Sequence, residues 1–565
     1  MKKKTQPNKN ITIVPLGGLG AIGKNITLIE YNEEIIVIDC GISFPDDETP
    51  GVDLIIPDFS YVRENRKKIK AMIITHGHED HIGGIPYFLR EVNVPIYATR
   101  LTTGLIQSRL AEHPLGADVI FVEVKPRDIH NIGNFVVEFI RVNHSVSDGV
   151  ALAIATPVGT IIHTGDFKID FSPVDGEVID LYKFAEYGEH GVLLLLSDST
   201  NAEKQGFTKS ESSLSEKLID IFSSAKGRII VATFASNIHR IQQVIDTARR
   251  FNRKVVISGI SMQKNIEIST NLGYLNTRDD TLIELEQAKL FPEKKLVIIG
   301  TGTQGEPMSA MSRMAFGTHK HFKIKKGDTV IITASVIPGN EKMLYNVVNA
   351  MMGLGAQVYN DEIHVSGHAS INELELILTI TKPKFFMPIH GEYRHLKAHA
   401  ELAENLGMRP PNIMIAENGD VLELGQNAFV TKGKIELSRI YVHGSETGDT
   451  AGHVISERQI MSNDGVLMLT LVVSDGFIVK EPEITTRGIF DEENNDLIDK
   501  IKKDIFARAR KMLKENLRAH EMEEILRKSL RNLLYKLAKR NSLIIAQVIE
   551  IDVQEEGGFV VTYEE

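Results

Sequence analysis

The feature that most constrains this chain is a histidine-rich segment at the end of an apolar run. Residues 76–81 read His-Gly-His-Glu-Asp-His directly after that run. In an extended turn alternate side chains point the same way, so His76 and His78 share one side, whereas Asp80 and His81 begin the next element and face elsewhere. A histidine-rich surface turn is the alternative for a lone His-x-His, and the added Asp and His argue against it. The segment therefore predicts ligands for two metal ions, and its nitrogen and carboxylate donors favour zinc or manganese.

Other histidines and aspartates also stand where apolar strands end. A strand over residues 135–142 leads to His144, and a strand over residues 159–164 leads to Asp166. Strand ends are where open sheets place their ligands. Two ions that hydrolyse phosphodiesters need roughly seven ligands if each keeps an open position. The candidate set is His76, His78 and His144 for one ion, Asp80, His81 and His390 for the other, and Asp166 as a bridge.

Composition is that of a soluble globular protein with several domains. The chain has 565 residues, of which 42% are hydrophobic and 25% are charged. Because Cys40 is the only cysteine, no internal disulfide can form and the metal ligands must be His, Asp or Glu. The lysines that follow Met1 precede glycines and a proline rather than an apolar segment, and no apolar run approaches the roughly 20 residues of a membrane helix. We therefore expect no export signal, and a cytoplasmic location.

The net charge of −11 counts against a protein that binds nucleic acid through its overall charge, because phosphate contacts dominate such affinity. A surface for nucleic acid would have to be local. Three basic clusters are candidates, at residues 63–70, 249–254 and 319–326. Each cluster could equally be a solvated face, which is the commoner role of such a run.

A glycine-rich turn near the N-terminus matches two phosphate-binding motifs by chance. Residues 18–23 fit G-x-G-x-x-G, and residues 18–25 differ from a P-loop by one position. Both motifs must open a helix, because they use the amides of its N-terminus. Residues 26–30 instead read as a strand, and Asn25 stands where a P-loop has Ser or Thr. The glycines therefore predict a tight connection between strands.

Helix and strand patterns alternate from about residue 210, which predicts a second α/β unit with a parallel sheet. Two more histidine-bearing turns follow, at residues 364–368 and 388–395. Towards the C-terminus, strands flank a charged amphipathic helical region at residues 496–540, within which we expect a break. The predicted boundaries are 1–210 and 351–425 for the first domain, 211–350 for an insertion, 426–454 for a linker and 455–565 for a small α+β domain.

These residues resemble the metallo-β-lactamase superfamily. Residues 76–81, with Asp39, His144 and Asp166 at strand ends, are similar to its αββα sandwich, which carries a dinuclear site at one edge. In the β-CASP branch an inserted α/β domain displaces the last metal ligand, and a unit of that kind separates Asp166 from His390 here. Three further motifs of that branch are matched by Asp198, His368 and His390. The whole chain resembles the bacterial ribonuclease J family.

The resemblance implies an α/β fold: a metallo-β-lactamase sandwich with an inserted β-CASP domain and a small α+β C-terminal domain. It also implies a metal-dependent nuclease that hydrolyses RNA, with 5′-to-3′ exonuclease and endonuclease activity in RNA maturation, rRNA processing and mRNA decay. Two divalent ions, zinc or manganese, would activate the hydroxide, and the products would carry a 5′-phosphate. The implied partners are RNA, a second copy or three further copies of the chain, and proteins of an RNA-degradation complex.

The resemblance assigns roles to individual residues. Asp80 is expected to orient the nucleophile, and His368, beside Asp198, to donate a proton to the leaving 3′-oxygen; a structural histidine bonded to Asp198 is the alternative. Asp39 is expected to orient a ligand rather than to bind a metal. A pocket for a 5′-monophosphate, too small for a triphosphate, is expected at Phe234, Ala235, Ser236, His364, Val365, Ser366, Gly367 and His368.

Three other functions remain open on the sequence. The first is a β-CASP nuclease that acts on DNA. The second is a small-molecule metallohydrolase, which the inserted domain disfavours. The third is an RNA-binding scaffold without activity, and the complete set of candidate ligands argues against it. Ordinary turn chemistry also stays open for the segments expected to bind the 5′-phosphate.

Overall fold

The structure is a computed structural model that describes residues 9–45, 49–116, 118–277, 280–334, 336, 340–360, 363, 365–444, 446–448, 451–490, 495–553 and 559–561. The chain divides into two compact units. One comprises residues 1–44 and 54–440, and the other comprises residues 45–53 and 441–565. No helix in the described ranges is both long enough and apolar enough to cross a membrane.

The first unit contains a sandwich of two sheets. In spatial order the eight-stranded sheet consists of Phe429–Lys434, Asp420–Gly425, Asn10–Gly17, Ile26–Tyr31, Glu34–Ile38, Ile69–Ile73, Ile96–Ala98 and Phe121–Glu123. The six-stranded sheet consists of Phe385–Ile389, Val192–Asp198, Gly159–His163, Val150–Thr156, Phe135–Arg141 and Ile129–Ile132. Short strands also form at Leu19–Gly20, Gly391–Glu392 and Leu54–Ile56.

Alternation along the strands buries both faces of each sheet. In Glu34–Ile38, the side chains of Ile36 and Ile38 enter the core between the sheets, where they join Phe139 and Leu196 from the opposite sheet. Val37 points the other way and is also fully buried. A strand that is apolar on both faces must be covered on both sides, which is why helices flank the sandwich. The predicted αββα sandwich is confirmed.

Helices cover the outer faces of the sandwich. Their bounds are Ser60–Asn65, Glu79–Ile82, Ile85–Glu91, Arg100–Glu112, Leu181–His190, Ile371–Thr381 and Tyr393–Asn405, with a short 3₁₀ turn at Pro410–Asn412. Phe184 and Ile377 from two of these helices pack against Ile140, Ala151 and Phe386 on the outer face of the six-stranded sheet.

The inserted domain is a parallel sheet with its own core. Its strands, in spatial order, are Leu282–Ile283, Lys254–Ser258, Leu296–Gly300, Ile229–Ala232, Thr329–Ile332 and Gln357–Tyr359. Its helices are Ser213–Ser224, Ile238–Arg250, Ile260–Asn271, Ala310–Ala315 and Glu341–Gly353, with 3₁₀ turns at Leu285–Leu290 and Glu293–Lys295. Side chains such as Ile298, Val330 and Leu344 form the core. The sheet extends past the predicted boundary at residue 350, because its edge strand lies after the last helix.

The second unit contains an α+β domain, as predicted. Its strands are Phe477–Arg487, Val466–Ser474, Leu543–Val553 and Phe559–Val561, its helices are Ala451–Asp464, Asn495–Lys514 and Ala519–Ala538, and Ile440–His443 forms a hairpin with Glu446–Gly448. The break predicted in the amphipathic region falls between the last two helices.

The predicted linker at residues 426–454 differs from the structure in its first part. Phe429–Lys434 is the edge strand of the eight-stranded sheet and pairs antiparallel with Asp420–Gly425. The strand is fixed there because the buried ring of Phe429 packs edge-on against Phe385, with ring centroids 6.0 Å apart. The glycines of this segment, which suggested a linker, lie in or beside the hairpin.

We predict that Gly188→Ala lowers the free energy of unfolding by about 1–3 kcal/mol, as overpacking of a close contact does. A Cβ at Gly188 would lie 1.9 Å from the carbonyl oxygen of Ile380, so the helices Leu181–His190 and Ile371–Thr381 would have to separate. The midpoint of chemical unfolding measures this effect. The exposed neighbour Glu189, changed to Ala, is the matched control; equal midpoints for the two variants would contradict the prediction.

Candidate metal centre

Three imidazole rings converge at one edge of the sandwich. The Nε2 atom of His76 lies 3.1 Å from Nδ1 of His78, which in turn lies 3.1 Å from Nε2 of His144. Burial holds the pKa of His76 and His144 well below the ordinary value and lowers that of His78 to about 4. The three rings are therefore neutral near pH 7, and their nitrogen lone pairs are free to bind a metal.

Hydrogen bonds fix which nitrogen of two of these rings faces the others. Nδ1 of His144 donates to the carbonyl oxygen of Gly367 at 2.7 Å, which leaves the lone pair of the neutral ring on Nε2. The hydroxyl of Thr75 donates to Asp39 and lies 3.1 Å from Nδ1 of His76, from which it can accept. The facing Nε2 atoms of His76 and His144 are thus the ones able to act as ligands.

A second group lies beside the first. Its members are Asp80, His81, Asp166 and His390, and their donor atoms lie within 4.8 Å of one another. Nε2 of His81 is 3.3 Å from one oxygen of Asp166, and Nδ1 of His390 is 3.0 Å from the other. The first of these oxygens also lies 3.8 Å from Nε2 of both His76 and His144. Asp166 therefore stands between the two groups, in the position expected for a bridging carboxylate.

The Asp39 carboxylate orients the second group from behind. One oxygen accepts from Nδ1 of His81 at 2.8 Å, and the other accepts from the backbone amide of Thr75 at 2.8 Å. Asp39 and His390 each follow the last residue of a strand and adopt left-handed backbone, with φ of 59° and 53°. Such backbone is costly for residues other than glycine and persists where surrounding contacts impose it. The contacts of Asp39 agree with the orienting role expected for it.

The turn that carries the motif packs tightly against a neighbouring loop. The backbone amide of Cys40 donates to the carbonyl of His81 at 2.8 Å, and the backbone amide of Asn25 donates to the carbonyl of Asp80 at 3.0 Å. A Cβ at Gly41 would lie 1.5 Å from the carbonyl oxygen of Asp80, so only glycine fits at this position. The motif is therefore held by backbone contacts as well as by its side chains.

The second group balances buried negative charge with protons on histidine. Burial alone would lower the pKa of His81 and His390, but the carboxylates of Asp166 and Asp80 outweigh it and hold both pKa values well above the ordinary one. Burial likewise raises the pKa of Asp166, but His390 and His81 hold it well below its usual range. The histidines and carboxylates of this group thus compensate one another's charge.

The donor set fits divalent cations. Nε2 of His390 is buried and has no hydrogen-bond partner in the described residues, although it lies 3.4 Å from Asp80. Buried polar atoms without a partner are uncommon, and a metal ion would satisfy this one. The donors are imidazole nitrogens and carboxylate oxygens, which zinc and manganese accept. All seven candidate ligands from the sequence meet in these two groups.

A third set of side chains adjoins the second group. Nδ1 of His368 donates to one oxygen of Asp198 at 2.8 Å, and the other oxygen of Asp198 lies 3.3 Å from Nδ1 of His390. The hydroxyl and amide of Thr200 also donate to Asp198, at 2.8 and 3.0 Å. Burial raises the pKa of Asp198, but its interaction with His368 and hydrogen bonds from His368 and His390 outweigh this, and the pKa lies below the ordinary value. Asp198 is therefore a carboxylate that orients His368.

The segments expected to hold a 5′-phosphate lie on the insertion and on the sandwich. Phe234, Ala235 and Ser236 are half-buried, and the carbonyl of Ala235 accepts from Asn265 at 3.1 Å. His364 lies outside the described residues. The remaining residues of that set are Val365, Ser366, Gly367 and His368. Val365 is buried, and the hydroxyl of Ser366 accepts a hydrogen bond from the side chain of Asn201. The carbonyl of Gly367 accepts a hydrogen bond from His144. Close to both segments in the chain, the guanidinium of Arg240 donates to the carbonyl of Ile363 at 3.2 Å.

Each of the three basic clusters of the sequence contains at least one cation that is paired with an acid. Lys68 binds Glu30 at 2.8 Å in the first cluster, and Lys254 binds Asp280 at 2.7 Å in the second. In the third cluster Lys325 binds Glu293. These contacts favour the solvated-face interpretation over a nucleic-acid surface.

Asn25 and Thr75 contribute contacts that sequence reasoning missed. The side-chain amide nitrogen of Asn25 lies 3.1 Å from the carbonyl oxygen of Asp80 and 3.0 Å from Nε2 of His81. The sequence drew attention to Asn25 only as a mismatch to a P-loop, and Thr75 precedes the motif without any signal of its own. The strand Ile26–Tyr31 after the glycine turn confirms that the turn opens no helix.

Four family models match successive parts of this chain. The metallo-β-lactamase superfamily model matches residues 19–202, and the ribonuclease J β-CASP domain model matches residues 226–351. A model described as a Zn-dependent metallo-hydrolase RNA specificity domain matches residues 358–414, and the ribonuclease J C-terminal domain model matches residues 453–551. Together they support divalent metal binding by this chain.

Whole proteins give the same result. A ribonuclease J from Synechocystis is 44% identical over 86% of this chain and 77% of its own length. A ribonuclease J from Thermus thermophilus is 41% identical over 96% of both chains. A crystal structure of a protein of unknown function from Enterococcus faecalis V583 shares the fold, with a TM-score of 0.52 and 16% identity over 74% of this chain and all of its own. The identity and coverage of the two relatives show that this chain belongs to the ribonuclease J family.

Proposed function

We propose that this chain is a metal-dependent ribonuclease that hydrolyses RNA phosphodiesters, with 5′-to-3′ exonuclease activity on 5′-monophosphorylated RNA and endonuclease activity, in RNA maturation and mRNA decay. The observation that carries the proposal is the pair of ligand groups that share Asp166. Paired sites of this kind suit the in-line displacement of a phosphodiester. The names of the relatives, ribonuclease J, support RNA as the substrate.

The residues proposed to hold two divalent ions, zinc or manganese, are His76, His78 and His144 for one and Asp80, His81 and His390 for the other, with Asp166 shared. Bound there, the ions would supply an activated water and positive charge to stabilise the phosphate in the transition state. The carboxylate of Asp80 lies 3.6 Å from Nε2 of His81. Its pKa lies below the ordinary value because His81 and His390 outweigh the effect of burial, so it stays ionised and can accept a hydrogen bond from the nucleophile.

His368 is proposed as the proton donor to the leaving 3′-oxygen. Its Nδ1 is engaged by Asp198, so Nε2 is the atom that can carry the transferred proton. The partly exposed ring lies beside Asp166, with Nδ1 3.9 Å from that carboxylate, so it adjoins the ligand groups without being enclosed by them. A positioned imidazole with a carboxylate behind it is a common general acid.

A preference for a 5′-monophosphate is proposed to arise at residues 234–236 and 364–368. Hydroxyl groups and turn amides can surround a terminal phosphate there, and one segment adjoins the proposed proton donor. The proposal also extends to a homodimer or homotetramer and to partners in an RNA-degradation complex. Light scattering on the full chain would measure its oligomeric state.

We predict that wild-type protein releases mononucleotides at once from 5′-monophosphorylated RNA labelled at its 5′ end, and does so slowly from the 5′-triphosphorylated form. His78→Ala should remove this activity, because one ion would lose a ligand. Gel analysis of the products over time, with metal content measured in parallel, checks the prediction. DNA of the same sequence is the control.

Equal rates on the two 5′ ends would contradict the proposed pocket, and internal fragments alone would leave endonuclease activity as the function. Faster cleavage of DNA than of RNA would favour a DNA-processing nuclease. A His78→Ala variant as active as wild type would show that the ligand groups are not the active site.

We predict that His368→Ala lowers kcat on RNA by about 10²–10⁴, the usual contribution of a general acid. The loss should be much smaller on a nucleotide p-nitrophenyl ester, because that leaving group needs no proton. Steady-state kinetics on both substrates measure the difference, and His190→Ala, at an exposed histidine, is the control. An equal loss on both substrates would indicate a structural histidine instead.

We predict that metal binding at the second group releases protons and strengthens as the pH rises from about 6 to 8. The pKa values of His81 and His390 are raised in the metal-free chain, so both rings carry protons that a cation must displace. Calorimetric titration with Mn²⁺ or Zn²⁺ in buffers of different ionisation enthalpy counts these protons. Binding without proton release near pH 7 would contradict the assignment.

A further inference from the structure

A cavity outside the candidate metal centre lies beside the glycine turn. Its wall carries three cationic side chains, those of Lys24, Lys434 and Arg439. The cavity has a volume of about 550 Å³, which is large enough for a nucleotide-sized group. Its charged and polar lining consists of Lys24, Asp58, Asn418, Lys434, Glu436, Ser438 and Arg439. We call it the Lys24 cavity. All of these residues belong to the first unit of the chain.

Two of the cations in the Lys24 cavity have no acidic partner among the described residues. Within the part of the chain that the structure describes, neither the half-buried ammonium of Lys24 nor the guanidinium of Arg439 has an acidic partner, whereas Lys434 pairs with Glu417 and Asp420. Burial, and then the charge of Arg439, lower the pKa of Lys24. Lys24 is half-buried and Arg439 is exposed, and an anion that contacts both would offset the repulsion between these like charges.

The acidic side chains of the same wall do not neutralise these cations. The two oxygens of Asp58 accept from the backbone amides of Ser60 and Ser438, at 2.8 and 2.9 Å. Glu436 is exposed on the strip of chain that ends at Arg439. The carboxylate of Asp58 is thus committed to the backbone, and Glu436 is the natural control position for a charge change in the wall.

The backbone around Lys24 is fixed on both sides. Lys24 has left-handed backbone with φ of 54°, and its amide donates to the carbonyl of Ile42 at 2.9 Å. Across the cavity, the amide of Ile435 donates to Gly419 and the amide of Gly419 donates to Pro15, both at 2.7 Å. The cations are therefore mounted on segments that hydrogen bonds hold in place, which favours a preformed site.

A single residue, Asn25, connects the wall of the Lys24 cavity with the proposed metal centre. Asn25, the next residue after Lys24, contacts both Asp80 and His81, and the side chain of Asn418 binds the backbone of Leu19 in the same turn through two hydrogen bonds. One side of the turn, at Asn25, thus faces the proposed ligands and the other faces the cavity. The proposed ligands and the cavity are therefore separated by this one turn.

From this arrangement we infer that the Lys24 cavity binds a backbone phosphate of the RNA strand, next to the one that is cut, through Lys24 and Arg439. The inference rests on the proposed ribonuclease function and adds a substrate contact outside the two segments expected to bind the 5′ end. Phosphate contacts position a strand without reading its sequence. A free nucleoside monophosphate offers the same chemistry, and the experiment below separates the two sources.

The test compares wild type with Lys24→Gln, Arg439→Gln and the control Glu436→Gln. Fluorescence anisotropy of a labelled 5′-monophosphorylated RNA measures binding, and steady-state kinetics on the same RNA measure cleavage. Each of the first two variants should weaken binding about tenfold, as loss of a charged hydrogen bond does. Each should also reduce the slope of log K against log salt by about 0.7, the value for one contact to a single strand. The effect should be the same for RNAs of unrelated sequence.

Glu436→Gln should bind RNA as wild type does or slightly more tightly. Thermal unfolding of all variants identifies any that fail to fold, and the two cations lie on separate segments, so one variant remains informative if the other is unstable. Binding by both cation variants with wild-type affinity and salt slope would overturn the inference. The inference would also be overturned if the variants bound RNA normally and differed from wild type only in how well a nucleoside monophosphate competes with the RNA. That result would assign the cavity to a free nucleotide.

The two measurements separate failure of this inference from failure of the proposed function. If wild type cuts RNA and the cation variants bind it normally, only the Lys24 cavity assignment is wrong. If RNA binding depends on Lys24 and Arg439 but no RNA is cut with zinc or manganese present, the contact to an RNA phosphate stands, whereas its place beside a cut phosphate and the ribonuclease proposal both fail.

Discussion

The carboxylate of Asp166 is the group around which the candidate site is built. It is buried, and it lies within 4 Å of imidazole nitrogens from both ligand groups. A buried carboxylate is costly unless opposite charge and hydrogen bonds compensate it, and His81 and His390 provide that compensation. The same geometry that makes this cluster tolerable without a cation makes it suitable for one. Binding of a cation would then exchange protons for metal at nearly constant local charge.

The sheets supply the rigidity that this arrangement requires. Asp39, Asp198 and His390 all stand at ends of buried strands, and the strands that carry the last two are neighbours in register, with Asp198 paired to Ile389. Loops alone would hold such side chains less accurately than strand ends do. Hydrogen bonds from Thr75 and Thr200 then fix individual rotamers. The outcome is a site whose geometry derives from the sandwich rather than from any single motif.

The local part of the site has a strong signal in the sequence, and the distant part has a weaker one. His76, His78, Asp80 and His81 lie within six residues, so their spacing alone indicates shared ligation. His390, 224 residues after Asp166, has no local signal that connects it to the rest. Its place in the ligand set came from the histidine-bearing turn that contains it, and the resemblance then agreed with that assignment.

Other features could not be predicted because they depend on packing between distant segments. Asn25 reaches Asp80 only after the glycine turn folds back, and the strand Phe429–Lys434 was mistaken for a linker because its glycine concealed its pairing. The charge clusters were ambiguous for a similar reason. Whether a lysine is paired depends on an acid elsewhere in the chain, as Lys254 with Asp280 and the contrasting Lys24 illustrate.

The insertion between two neighbouring strands sets an order of events during synthesis. Val192–Asp198 and Phe385–Ile389 lie side by side in one sheet, yet a whole domain separates them in the chain. A nascent chain that has emerged from the ribosome only up to the end of the insertion would carry every proposed metal ligand except His390. The sheet edge at Val192–Asp198 would stay open until the later strand arrives, a closure between residues far apart in sequence that is expected to be slow. The inserted domain, which has its own core, can fold while that edge waits, so a nascent chain would acquire its complete metal centre late.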